Sequence, residues 1–298
     1  MSTAGRRTVI QLGALGLLAT TPGCSGRAAT PPPGDDLDAV FARLVAALSA
    51  DGPYRDPGSS ERQAAGEAIR TLTAQRSPTD QVGDLLGGIG FAVTHGTDGG
   101  RPFTLYLSPP QSEPAWGGLL VDRSAPVRSV IEVPHPGFDR NTHLLGLSLY
   151  RAVPGAVLMI AGAQRRAAHG AADVAHNANS MFQVMSREFA RAGLPQLQWH
   201  GFAESSLPGA DFVVSTGAAP HSDLPVRIAE GLTGAGYRVC RAWSSPCRGL
   251  EGTTNVQGTA AAEFGSPFVH LESAWPVRRD ATHRQAVVAA VAGAWRTG

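Results

Sequence analysis

Between residues 117 and 295, short apolar runs rich in Val, Ile and Leu alternate with longer stretches of helical periodicity. That alternation constrains the fold more than any other feature of the sequence. Strands are predicted at 117–122, 128–134, 156–161, 196–200, 211–215, 237–242 and 267–272, and helices at 141–152, 180–192, 223–234 and 281–295. A helix between two strands lets the chain cross a face of the sheet and start the next strand in the same direction, so the pattern favours parallel pairing. The predicted fold is α/β, with a mixed, mostly parallel sheet flanked by helices. Upstream, helices are predicted at 37–48, 61–74 and 80–86, the first capped by Asp36 or Asp38. Phe91–Leu107 alternates about Thr97-Asp98-Gly99-Gly100, which reads as a hairpin turn.

The chemistry is placed at the ends of these strands. In Ile131-Glu132-Val133-Pro134-His135-Pro136-Gly137-Phe138-Asp139 the prolines stop a β-branched run, leaving His135 on a loop just past a strand. In open α/β sheets ligands gather beyond the carboxyl ends of strands, and Asp139 can face the same crevice. His200 closes the strand Leu197-Gln198-Trp199-His200, and Gly201 behind it reads as room for a ligand. His135, Asp139 and His200 supply two nitrogens and a carboxylate, the three protein ligands plus open position that catalytic zinc uses. Glu272 ends the apolar run Pro267–Glu272; a buried acid there is costly unless it faces a polar site, so it is the candidate general base, or else a satisfied sheet-edge carboxylate.

Several residues are read as pocket lining. Arg165 and Arg166 follow a predicted strand and could clamp a substrate carboxylate in a bidentate contact, or simply be solvated. His176 and Asn179 lie in a polar loop, as pocket lining or as donors to a developing oxyanion. The polar segment Glu251–Gly258 reads as a substrate loop or as turn chemistry. Ser215 lacks the G-x-S-x-G elbow of a nucleophile. His95, His143, His169, His221, His270 and His283 have no acid or second histidine at ligand spacing and are read as surface or locally bonded residues.

Taken together, strand-then-His135 with a nearby acid, the segment Asp173–Phe182, strand-terminal His200 and a late strand ending in Glu272 resemble the zinc carboxypeptidase and N-formylglutamate amidohydrolase superfamily over roughly residues 125–275. The resemblance implies zinc held by His135, Asp139 and His200, with Glu272 as catalytic base. Two departures stand out. The carboxypeptidase acid lies three residues after the histidine, where this chain has Phe138. The Asn-Arg pair that holds a substrate carboxylate is matched only by His176-Asn177, without an arginine, which leaves Asn177 as a further candidate for substrate binding.

Residues 1–23 read as an export signal: Arg6-Arg7-Thr8-Val9-Ile10 resembles a twin-arginine motif, and Thr21-Pro22-Gly23-Cys24 resembles a lipobox with Thr where Leu is usual. Cys24 is the expected lipid attachment point, plain cleavage being the alternative, and residues 24–35 read as a tether to a domain of 36–298. The expected location is the cell surface or a periplasm-like space, with a lipid anchor as the membrane contact. An oxidising compartment would let Cys240 and Cys247 pair, rather than remain two buried thiols. All 25 basic residues are Arg, which excludes Schiff-base lysine chemistry and the P-loop lysine. Without Arg6 and Arg7 the balance is 23 Arg against 24 acids, or −1, which argues against nucleic acid as a partner. The predicted function is an exported zinc-dependent amidohydrolase or peptidase acting on a small-molecule or peptide substrate that bears a carboxylate: a peptide, an N-acyl amino acid or a γ-glutamyl polymer. The alternative is a non-catalytic ligand- or metal-binding surface lipoprotein on a hydrolase-like scaffold. A zinc phosphoesterase would call for a two-metal site and more ligands.

Overall fold

The computed structural model describes residues 36–296 apart from 112 and 220, together with Met1. The predicted export signal, Cys24 and the tether fall outside the described residues. Three helices, α1 (Leu37–Ala46), α2 (Ser59–Gln75) and α3 (Asp80–Gly88), precede the sheet. The side chain of Asp36 caps α1 by accepting from the Asp38 N–H, so of the two candidate caps it is Asp36 that acts. The hairpin follows as β1 (Ala92–Asp98) and β2 (Arg101–Leu107), turning on Gly99 and Gly100, both at positive φ.

From there strands and helices alternate as predicted: β3 (Gly118–Asp122), β4 (Ser129–Val133), α4 (Thr142–Ala152), β5 (Ala156–Ile160), α5 (Met181–Arg191), β6 (Gln196–Phe202), β7 (Phe212–Ser215), α6 (Asp223–Gly234) and β8 (Val239–Arg241). The chain closes with α7 (Val256–Phe264), β9 (Phe268–Ala274), α8 (Trp275–Arg279) and α9 (Ala281–Arg296). The described strands form one mixed sheet in the order β1-β2-β3-β5-β4-β6-β9-β7-β8. Its centre, β5-β4-β6-β9, is parallel, and the antiparallel pairings lie towards the flanks.

Helices cover both faces. On one, α1, α4, α6 and α9 bury Phe41, Leu145, Ile228 and Val287 against Leu197, Trp199, Val269 and Leu271. On the other, α2, α3 and α5 bury Ile69, Leu86 and Phe189 against Val130, Val157 and Met159. Both faces of the central strands are therefore packed, as a parallel sheet requires. Among the described residues no helix is long and apolar enough to cross a membrane.

Two short helices escape the sequence pattern. The polar segment Glu251–Gly258 contains the start of α7: Asn255 caps it, its side chain accepting from the N–H groups of Gln257 and Gly258. The five-residue α8 turns directly off the end of β9 with Pro276 in its first turn.

Cys240 and Cys247 are joined in a disulfide that closes a seven-residue separation. Replacing both with Ser is expected to lower unfolding free energy by about 2 kcal/mol, because the reduced unfolded chain regains the freedom of that loop. Urea denaturation of the double variant beside the oxidised parent measures the difference.

Candidate metal centre

Non-consecutive strands lie side by side at the centre of the sheet, and this topology assembles the site. β4, β6 and β9 are adjacent and parallel, so their carboxyl ends open on one edge. His135 stands two residues past β4, His200 lies within β6, and Glu272 within β9 is the register partner of His200. Asp139 reaches the same place through the turn after His135, where its N–H donates to the His135 carbonyl at 2.8 Å. All four residues are buried.

The ring atoms converge on one carboxylate oxygen. Oδ2 of Asp139 lies 3.4 Å from Nδ1 of His135 and 3.3 Å from Nδ1 of His200, and the two rings are 5.1 Å apart between centroids. His135 Nδ1 is buried without a hydrogen-bond partner. The distal nitrogens are occupied. Nε2 of His135 donates to Oδ1 of Asp173 at 2.8 Å, and Nε2 of His200 donates to Oε1 of Gln198 at 2.6 Å.

The tautomer of His200 follows from groups with no freedom to reverse. Oδ1 of Asn255 accepts from two backbone N–H groups, so its Nδ2 must donate, and it donates to Oε1 of Gln198. Nε2 of Gln257 donates to the Val174 carbonyl, so its Oε1 accepts from Nε2 of Gln198. Gln198 therefore presents an acceptor to His200, whose Nε2 must carry the hydrogen. A carboxylate fixes His135 in the same sense. Both rings consequently offer a lone pair at Nδ1, beside Asp139, which is the ligand-plus-outer-partner arrangement that metal histidines adopt. The donor set, two neutral imidazoles and a carboxylate, fits zinc.

Each group in the cluster is shifted by its neighbours. Burial alone would raise the Asp139 carboxyl, but the adjoining His135 and His200 rings outweigh it and hold it well below the usual range. Burial lowers His200, against the pull of Asp139. For His135 burial acts in the same direction, but Asp139 and Asp173 prevail and its net shift is upward. Glu272 is pushed well above the carboxylate range by burial and then by the Asp139 charge, with Arg278 and Arg165 acting in opposition.

A cavity of about 160 Å³ joins His135, His200, His270 and Glu272 to Arg165, His176 and the segment Gly249–Asn255. Arg165 bonds Oδ2 of Asp173 through Nη2 and lies over the Phe138 ring at 5.2 Å. Arg166 stacks on the same ring at 5.1 Å but is exposed and lies outside the cavity wall. His176 sits at the rim, half exposed, with Nδ1 3.2 Å from Asp173 Oδ1. Asn177 and Asn179 stand away from the cavity: Asn177 ties Asp56 and the Ala171 carbonyl to its loop and accepts the Asn179 N–H, while the Asn179 carbonyl accepts from Arg62.

Three expectations need correction. β6 does not end at His200, and the space beside Gly201 is filled by protein: a Cβ there would fall 2.2 Å from the Arg278 guanidinium carbon. That buried guanidinium donates to the carbonyls of Ser273, Arg140 and Phe202. His270 does have partners: it lies two residues before Glu272, buried, with its ring 4.6 Å from that of His200. Glu251–Gly258 combines both readings, a wall of the cavity as far as Asn255 and a helix start beyond it. The Ser215 hydroxyl, by contrast, is engaged by backbone, donating to the Glu251 carbonyl and accepting from the Gly217 N–H.

Asp173 and Gln198 are the outer partners that sequence reasoning assigned no role. Gln198 had a signal, since residues two apart on a strand share a face with the ligand. Asp173→Ala is expected to weaken zinc binding by about 10- to 100-fold, because His135 loses the acceptor that holds its ring and tautomer. Titration against a chelator of known affinity measures it.

The sheet and its edge cluster define a mixed α/β protein with a cluster of three residues that could hold a metal ion. No protein-family model matches the sequence, and no curated protein matches it. Among solved structures the chain is similar to a bacteriophage poly-gamma-glutamate hydrolase, at 16% identity and a TM-score of 0.42, over 62% of this chain and 90% of that one. It is similar to zinc-free YndL at 10% identity and a TM-score of 0.41, over 61% of this chain and 90% of that one. An aspartoacylase family protein from Mesorhizobium loti is similar at 11% identity and a TM-score of 0.38, over 67% of each chain. With TM-scores of this size, the chemistry has to be read from the chain's own residues.

Proposed function

We propose that this protein is a zinc-dependent hydrolase of amide bonds in carboxylate-bearing substrates. One observation carries the reading: two buried histidines, each with its distal nitrogen fixed as a donor, turn their free Nδ1 atoms toward a single Asp139 oxygen. A divalent ion there supplies Lewis acidity, polarising the scissile carbonyl and acidifying water. Glu272, whose Oε2 is buried without a partner, accepts the proton of the attacking water and passes it to the departing amine. Arg165, which lines the cavity with its Nη2 held by Asp173, binds the substrate carboxylate. Peptides, N-acyl amino acids and γ-glutamyl polymers all present the required amide and carboxylate.

We further propose that the enzyme works outside the cytoplasm, held to a membrane by a lipid on Cys24. The twin-arginine-like start of the sequence supports this placement, and a disulfide is at home in such a compartment. The test is hydrolysis of a panel of N-acyl amino acids and γ-glutamyl peptides by the purified protein. Activity is expected to vanish with a chelator and return with zinc; activity insensitive to chelation would refute the metal reading.

A further inference from the structure

We propose that the cavity contains a second, alternative position for the ion, held by His200, His270 and Glu272. The inference rests on the metal reading above and extends it. Each of these residues offers a ligand atom, and the three atoms lie within 4.8 Å of one another, as do those of His135, Asp139 and His200. Register explains the second set: Glu272 pairs with His200 across the parallel β6–β9 ladder, and His270 precedes Glu272 by the two residues that return a side chain to the same face.

Nδ1 of His270 and Oε2 of Glu272 are both buried and both without a hydrogen-bond partner. Leaving such groups unsatisfied is costly, so two of them in one polar cavity call for an explanation. The loop is shaped to seal the ring in place. Gly252, at φ +62°, lies so close that a Cβ would fall 2.4 Å from Cδ2 of His270.

Both sets need His200, and its Nε2 is occupied by Gln198, so one lone pair at Nδ1 must serve both. The positions are therefore alternatives for a single ion and not a two-metal centre. Two imidazoles and a carboxylate suit Zn²⁺ or Co²⁺, and hard cations such as Ca²⁺ poorly. A carboxylate that ligates an ion cannot at the same time take a proton from water, so the second position is a minor, idle arrangement and the first the working one.

The test is equilibrium titration of the full chain with Co²⁺, following the number of ions bound, their affinity and the visible absorption of the complex. The parent chain is expected to bind one ion. Asp139→Ala is expected to keep one ion at an affinity about tenfold or more weaker and with an altered spectrum, because the ion moves to the second set. Adding His270→Phe to Asp139→Ala should abolish that residual binding, and His200→Ala alone should abolish all of it. Asp139→Ala with Glu272→Gln supplies an independent second arm, and circular dichroism confirms that each variant is folded. The second position is overturned if Asp139→Ala binds nothing, if its residual binding ignores both His270 and Glu272, or if the parent binds two ions. A parent chain that binds no ion would instead sink the function proposed above.

Discussion

Glu272→Gln is expected to lower kcat by about 100- to 10,000-fold while the bound zinc is unchanged, the range that general-base catalysis contributes. The substitution keeps the size of the side chain and removes its capacity to accept a proton. Glu272 does not belong to the His135, Asp139 and His200 set, so the working position for the ion survives. The variant also trades a buried, desolvated carboxyl for a neutral amide, and stability should not fall for want of a charge. Steady-state hydrolysis together with elemental metal analysis on the same preparation gives both numbers. A hydrolysis rate equal to that of the parent would remove Glu272 as the base and favour a ligand-binding surface protein.

His200→Ala is expected to reduce bound metal to background and activity with it. Among the described residues His200 alone contributes to both ligand sets. The fold should tolerate the change. Gln198 keeps its bonds to Glu132, Gln257 and Asn255, and the ring removed faces the cavity and not the apolar core. Metal analysis and thermal unfolding separate loss of the ion from loss of the structure. Stoichiometric metal in a folded His200→Ala protein would end the case for a metallohydrolase.

The architecture was legible because hydrophobic alternation is a local property, and each strand and long helix writes its own period. α7 and α8 were not, for physical reasons: α7 starts in a polar cap sequence and carries Gly258 in its first turn, and α8 has only five residues. His135, His200 and Glu272 could be picked out since each follows strand-like apolar residues in the sequence, where a polar side chain needs a reason. What no local pattern contains is that β9 passes over β7 and β8 to lie against β6. His270 has no ligand partner at local spacing, because its partners lie across the sheet at His200 and two residues further along its own strand at Glu272. Gly201 shows the converse: a glycine beside a histidine suggested space for a ligand, but the guanidinium that fills it comes from 77 positions later, as Arg278.

β6 and β9 alternate strictly. Leu197, Trp199, Val269 and Leu271 belong to the core on one face, and Gln198, His200, His270 and Glu272 form the polar face opposite. A slip of one residue in either strand would turn leucine and tryptophan into the cavity and histidine into the core. The chemistry thus borrows its rigidity from the innermost strands, whose opening requires the whole domain to come apart.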